Sequence, residues 1–248
     1  MKKTNFKKTL KRIALPLILG FAQPETASAQ EQGIKPNIKE EPTRQVQLKA
    51  KNDLISKYVF RGIPYSQGKV LNQYLSASSK LPKNLGNLTA TAFGNYDFEK
   101  KEYNEADIFI DYAKPINDKL TLLAGWGAYY SPTDFFEDTH EAYIGLTANL
   151  PLNPTIIAVK DLDESKGKYI EPSVSHQIRN LNLSAKLGYN DEYFREKSGF
   201  SHLESTVSYK INPTENTTIE PFISHSESFD KSFLEDETYG GIRTSINF

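Results

Sequence analysis

The fold class this sequence predicts is a transmembrane, antiparallel, up-and-down β-barrel of about twelve strands. Three observations predict it. From Gln45 to the end, segments alternate apolar and polar side chains with period two. Most run to roughly ten residues, the length at which a tilted strand crosses a bilayer. The links between them alternate in kind, tight turns with longer charged loops. The chain also opens on a secretory segment and closes on an aromatic residue, Phe248.

The first strand is expected near 45–62. Val46, Leu48, Ala50, Leu54, Ser56, Tyr58 and Phe60 share one face, and Lys49, Lys51, Asp53, Lys57 and Arg61 the other. Gly62 and Pro64 end it. The second, near 70–79, sets Leu71, Leu75 and Ala77 against Asn72, Tyr74 and Ser76. The third, near 87–96, sets Leu88, Ala90 and Ala92 against Thr89, Thr91 and Asn95. The fourth, near 105–114, sets Ala106, Ile108 and Ile110 against Glu105, Asp107 and Asp111. The fifth, near 119–130, carries Leu120, Leu122, Ala124 and Trp126 on one side. The sixth, near 140–150, sets Ala142, Ile144 and Leu146 against Glu141, Tyr143 and Thr147. The seventh, near 155–162, shows no parity. The eighth (168–178) and ninth (181–190) alternate again, as do the tenth (200–211), eleventh (217–225) and twelfth (238–248). Pro172 and Pro221 each remove a ladder hydrogen bond from the eighth and eleventh.

Tight links follow the even strands, such as Leu81 to Asn84, Lys114 to Asp118 and Arg179-Asn180. Links after the odd strands are mostly longer, such as Asn190 to Gly199 and Ser226 to Glu237. Short turns on one rim and long loops on the other is the layout of an outer-membrane barrel. An even strand count then puts both barrel ends on the periplasmic side. On the last strand, Ile242 and Ile246 share a face with Phe248, and the terminal aromatic reads as an assembly signal.

Before the barrel, residues 1–29 read as a signal peptide. Six basic residues precede an apolar run from Ile13 to Ala22, and Ala27-Ser28-Ala29 is a small-x-small cleavage site. That run is half the length a spanning helix needs, about twenty residues. Cleavage after Ala29 takes the formal charge from −1 to −6. An acidic chain without a basic stripe argues against nucleic acid as a partner. Residues 30–44 are polar, contain Pro36 and Pro42, and read as a disordered periplasmic leader. The barrel domain is 45–248. Hydrophobic residues make up 38% of the chain, low for a helical membrane protein but ordinary for a barrel, where only alternate residues meet lipid. The absence of cysteine excludes a disulfide framework and thiolate metal sites.

Motif chemistry is sparse. No nucleotide, phosphate or zinc motif appears, so neither a cofactor nor a catalytic or metal-ligating set is expected. His140, His176, His202 and His225 lie on four strands, none in an i,i+4 pair. Asp138-Thr139-His140 with Asp161 and Asp163 imitates the rim site of barrel proteases, but rim loops are acidic in any case. Ser175-His176 and Ser201-His202 are adjacent, which points each pair to opposite faces of a regular strand. His225 between Ser224 and Ser226 meets the same objection. Phe135-Phe136, Phe229 and Phe233 are either ligand anchors or loop packing over the barrel mouth.

One stretch carries a family resemblance. Ile55-Ser56-Lys57-Tyr58-Val59-Phe60-Arg61-Gly62-Ile63, then Ser66, Gly68-Lys69 and Gln73, resembles the opening strand of the TorF-type porins of Gram-negative bacteria. It departs at Lys57, where that family commonly has an acid. Weaker echoes lie at Glu141 to Leu146 and Tyr239 to Ile242. The resemblance implies an outer-membrane barrel.

Together these features lead to a porin-like channel in the bacterial outer membrane for passive diffusion of small hydrophilic solutes. Its partners are outer-membrane lipid and the barrel assembly machinery, which reads Phe248. The alternatives are a non-conducting structural or adhesion barrel and a rim-site hydrolase. A charge facing lipid at the midplane costs about 2–4 kcal/mol, so the charged walls are expected inward. The expected pore-lining set is Lys51, Lys57, Arg61, Lys186 and Arg243 as a basic arc, facing Asp107, Asp111 and Glu141 as an acidic one. Nearly balanced arcs imply weak net ion selectivity.

Overall fold

The computed structural model describes residues 46–248, apart from 134–136, 164 and 166. The expected signal peptide and leader, Gln45, Phe135-Phe136 and Glu164 lie outside the described residues. Twelve wall strands follow one another. They are β1 (Val46–Ile55), β2 (Val70–Lys80), β3 (Asn87–Asp97), β4 (Glu102–Asn117), β5 (Leu120–Tyr130) and β6 (Thr139–Ala148). Then come β7 (Thr155–Asp161), β8 (Lys168–Ile178), β9 (Leu181–Asp191), β10 (Gly199–Tyr209), β11 (Thr217–Ser228) and β12 (Glu237–Asn247). Ile211–Thr214 prolongs β10 towards β11. Each strand pairs antiparallel with its sequence neighbour, and β1 also pairs with β12, opposing Asp53 to Arg243. The ring is closed, so the wall has no edge strand with unpaired backbone groups.

Parity decides the faces. Leu54, Leu75, Ile108, Ile144, Ile156 and Ile223 are exposed on the outside although large and apolar. That is costly against water and favourable against lipid. Exposed aromatics mark both ends of this band, Phe98, Tyr103, Tyr130 and Phe200 near the long loops, Tyr209 and Phe248 near the turns. Among the described residues no helix is long and apolar enough to cross a membrane. The missing parity of β7 has a physical cause. Ile157 and Val159 face inward and are buried, while Ile156 faces out, because the lumen beside β7 is itself apolar. Pro172 interrupts the β8–β9 register between Ile170 and Ser173, whereas Pro221 sits opposite Ile242 in an unbroken ladder.

The first strand is where the structure departs most from expectation. It ends at Ile55 rather than near 62. Beyond Lys57 the chain turns into the barrel and forms a small hairpin, Val59–Phe60 against Ile63–Pro64. Arg61 and Gly62 close it with φ of 47° and 80°. Two consecutive positive φ values are the mark of a type I′ two-residue turn. Tyr58 and Phe60 therefore lie in the lumen, not on the lipid face. Inside the lumen period two is lost from the burial pattern: Tyr58, Val59, Phe60, Arg61 and Ile63 are all buried, so both parities face protein.

Candidate functional site

The lumen divides into two parts. In the external part, Tyr58, Val59, Phe60, Ile63 and Tyr65 of the hairpin are buried with Phe109, Tyr129, Val159 and Tyr169 of the wall. Burying each large apolar side chain is worth about 1.5–3 kcal/mol, so the hairpin is firmly seated. Its base is tied by Ser66. The Ser66 hydroxyl accepts from the Tyr58 amide at 2.8 Å and donates to the Gly68 carbonyl at 3.0 Å. Two external loops cover it. Asn190 organises one, accepting from the Phe194 amide and donating to the Arg195 and Lys197 carbonyls, which buries Tyr193 and Phe194. The other brings in Leu234 and is joined to the first by the Arg195–Asp230 ion pair.

At the hairpin tip, Arg61 is held on several sides. Its Nη1 donates to the Tyr193 hydroxyl at 2.8 Å and lies 3.6 Å from Glu141 Oε1. Its guanidinium carbon stands 4.5 Å from the Tyr169 ring centre, 5.0 Å from Phe60 and 5.2 Å from Tyr193. The Tyr129 hydroxyl donates to the other Glu141 oxygen at 3.2 Å. A buried cation is tolerated because it is both paired and ringed by aromatic faces. Gly62 beside it is required twice over. Its φ is 80°, and a Cβ there would meet His202 Cγ at 2.7 Å.

The periplasmic part is polar and reached by solvent. Hydroxyls pair across strands, Ser76 with Thr91, Ser78 with Thr89 and Thr147 with Thr155, each at 2.9 Å. Charges pair locally. Lys51 lies 2.9 Å from Asp53, Lys186 3.0 Å from Glu204, and Arg243 3.9 Å from both Asp53 and Glu220. Lys51, Lys186 and Arg243 keep 27%, 32% and 31% of their side-chain surface exposed, against 4% for Arg61.

The structure places Lys51, Asp107, Asp111, Glu141, Lys186 and Arg243 at inward wall positions. Lys57 instead stands at the external rim, 2.5 Å from Glu237, and Arg61 at the hairpin tip. The expected basic arc is interleaved with acids of neighbouring strands. On the acidic side, Tyr143 donates to Asp111 at 2.7 Å, and the ring of Tyr143 fills the space left by Gly125.

Other candidates resolve simply. A register shift opposite Gly188 and Tyr189 lets Ser201 and His202 both turn inward, 3.1 Å apart, so their adjacency does not separate them as a regular strand would. Both are buried beneath Gly62 and the hairpin. Ser175 is buried inward and His176 exposed outward, the expected split. His140 pairs with Asp163 at 2.6 Å on the external rim and stacks on Trp126. The His140 contacts hold the Asp163 carboxyl below the usual carboxylate range. Asp161 is buried beside that pair, accepting from the Asp163 amide at 2.8 Å and from the Thr139 hydroxyl at 3.2 Å, so the structure brings Thr139, His140, Asp161 and Asp163 together. Phe233 packs under Arg195 while Phe229 is exposed, so loop packing describes the first and not the second. Among the described residues no three His, Asp or Glu side chains could hold a metal ion.

No family model and no curated protein matches the chain. Solved structures do match. The NanC porin aligns with a TM-score of 0.51 at 11% identity, over 80% of this chain and 98% of that one. Outer membrane phospholipase A from Escherichia coli aligns at 0.50 and 12% identity, over 80% and 89%. The KdgM porin, solved with disordered oligogalacturonate, aligns at 0.49 and 10% identity, over 82% and 99%. At such identities the likeness to the first two establishes fold alone. The chain is an outer-membrane β-barrel. Its closed ring and outward apolar band place it in the bacterial outer membrane.

Proposed function

We propose that this barrel is a porin-like channel for passive diffusion of small hydrophilic solutes, constricted by the Lys57–Ser66 hairpin. The observation that carries the proposal is the contrast inside the lumen. Its periplasmic part is hydroxyl-lined and solvent-accessible, and its external part is filled by a segment that belongs to no wall strand. A barrel with only a structural role has no need of a solvent-accessible vestibule, and a filler built as a hairpin leaves the ring intact if it moves. The likeness of Ile55 to Ile63 to the TorF-type opening stretch supports the same reading, with the motif now read as the constriction. Phe248, exposed at the end of β12, serves in this proposal as the signal for the assembly machinery.

The competing reading is a non-conducting barrel, favoured by the burial of Tyr129, Tyr169 and Tyr193 across the external part. Planar-bilayer recording separates the two. The wild type is expected to give small unitary currents, and replacement of 57–66 by a Gly/Ser linker to enlarge them several-fold. A variant that shows the heat-modifiable gel migration of a folded barrel yet passes no current would remove the channel proposal.

A further inference from the structure

The seat of Arg61 is chemically a receptor for a planar or tetrahedral cation. It offers the Glu141 carboxylate, the Tyr193 hydroxyl and the faces of Tyr169 and Tyr193. The guest in that seat is supplied by the chain itself, on a tip where a non-glycine residue is held at φ 47°. Strained backbone of this kind persists only where surrounding contacts over-determine it. The wall beyond the seat is one-sided. Glu105, Asp107, Glu141 and Asp161 of β4, β6 and β7 are buried and inward, and no inward described position of β4 to β7 is basic. Asp107 is 3% exposed, and its carboxyl meets that of Glu105 and the Tyr130 backbone. Arg61 thus brings one positive charge to a wall that carries four carboxyl groups.

We propose that the Arg61 seat is a solute-binding site of the channel, selective for small guanidinium or primary ammonium compounds, with Arg61 as its built-in competitor. This rests on the channel reading and gives it a substrate class. A solute cation entering the external lumen replaces the Arg61 guanidinium between Glu141 and the Tyr169 face. The tip turn then shifts, while the Ser66-tied base of the hairpin stays anchored. The periplasmic part imposes no equal preference, because its charges are paired with neighbours.

The test uses the whole barrel and Arg61→Ala, which empties the seat. The probe is methylguanidinium, with N-methylurea as its neutral isostere. Two measurements are made, thermal unfolding in detergent and current in planar bilayers. In Arg61→Ala, methylguanidinium is expected to raise the melting midpoint and to block the current several-fold more strongly than N-methylurea does. Wild type should give both responses only at a several-fold higher concentration, because there the solute must displace Arg61. Adding Glu141→Gln to Arg61→Ala should abolish both. A wild type that responds at no concentration overturns Arg61 as a displaceable competitor. A conducting Arg61→Ala that ignores methylguanidinium overturns the cation site and leaves the channel standing. A melting shift without current, in Arg61→Ala and in the hairpin-replaced barrel alike, sustains the seat and overturns transport through it. Should Arg61→Ala fail to assemble, Arg61→Gln keeps most of the side-chain volume and is read in the same way.

Discussion

The external and periplasmic parts of this lumen are built from the same wall, yet they treat charge oppositely. Outside, a single guanidinium is buried at 4% exposure against a fully buried carboxylate, and aromatic rings exclude water. Inside, three basic side chains keep about a third of their surface wet and pair at distances from 2.9 to 3.9 Å. Coulomb attraction is strong where water is absent, but so is the cost of an unmatched ion. The periplasmic pairs are cheap to make and cheap to lose. The Arg61–Glu141 pair is held by context, and losing one partner strands the other. The difference shows that in the external part the hairpin supplies the positive charge and keeps out water, while the wall supplies the acids.

The largest expected effect tests that statement directly. Glu141→Ala leaves Arg61 buried without its carboxylate and should cost about 3–5 kcal/mol. Glu220→Ala, which removes one of two acids near Arg243, should cost no more than about 1 kcal/mol. Thermal unfolding of both variants in one detergent measures the contrast, and equal midpoints would erase it.

Next in size is Gly62→Ala. The left-handed backbone alone penalises alanine by about 1–2 kcal/mol, and its Cβ would overlap the His202 ring. The ring of strands does not depend on this residue. The variant should therefore assemble normally and show larger, noisier current as the tip is displaced. Ser66→Ala acts at the other end of the hairpin. Loss of its two bonds, which strands the buried Tyr58 amide, should cost about 1–3 kcal/mol and loosen the base rather than the tip. Proteolysis within 57–66 from the external side should rise for both variants; an unchanged rate would mean that neither contact seats the hairpin.

Much of this molecule is legible in its sequence, because a wall strand has only one decision to make at each position. Asp107 against Ile108, or Glu141 against Ala142, states which side meets lipid, and the twelve strands follow. The hairpin was hidden by the same rule. Tyr58 and Phe60 continue the alternation of Leu54 and Ser56, and parity carries no information about a chain that leaves the wall. A local signal was nevertheless present. Arg61-Gly62 stands between Val59-Phe60 and Ile63-Pro64, which is the spacing of a two-residue hairpin. Arginine is an uncommon choice for a positive-φ turn position, and that choice makes sense only once Glu141, Tyr169 and Tyr193 are seen around it. Those three are far apart in the chain, so no motif could announce the seat. Ser201 and His202 failed for a related reason. A register shift on the β9–β10 pair breaks period two, and bulges are set by the partner strand as much as by the residues themselves.

The smallest effect gives the finest test of the two-part lumen, because it asks about screening rather than strength. Arg243 lies 3.9 Å from Asp53 and from Glu220, its guanidinium carbon 3.8 Å from the Phe222 ring centre, and it is reached by solvent. Arg243→Gln keeps much of the stem and removes the charge. At low ionic strength it should cost up to about 1 kcal/mol, the upper end for an accessible pair. Raising salt shortens the Debye length from about 30 Å at 0.01 M to about 3 Å at 1 M. Ions that enter the vestibule then screen the wild-type pair, and the difference between wild type and variant should shrink towards zero. Glu141→Gln offers the opposite case. Counter-ions cannot approach a carboxylate of 0% exposure behind the hairpin, so its cost should hold across the same salt range. Melting midpoints of the three proteins at low and high salt give the answer in one series. Parallel salt dependence for both variants would mean that solvent reaches the two parts equally. The hairpin would then not seal the external lumen, and the Arg61 seat would already be open to the outside.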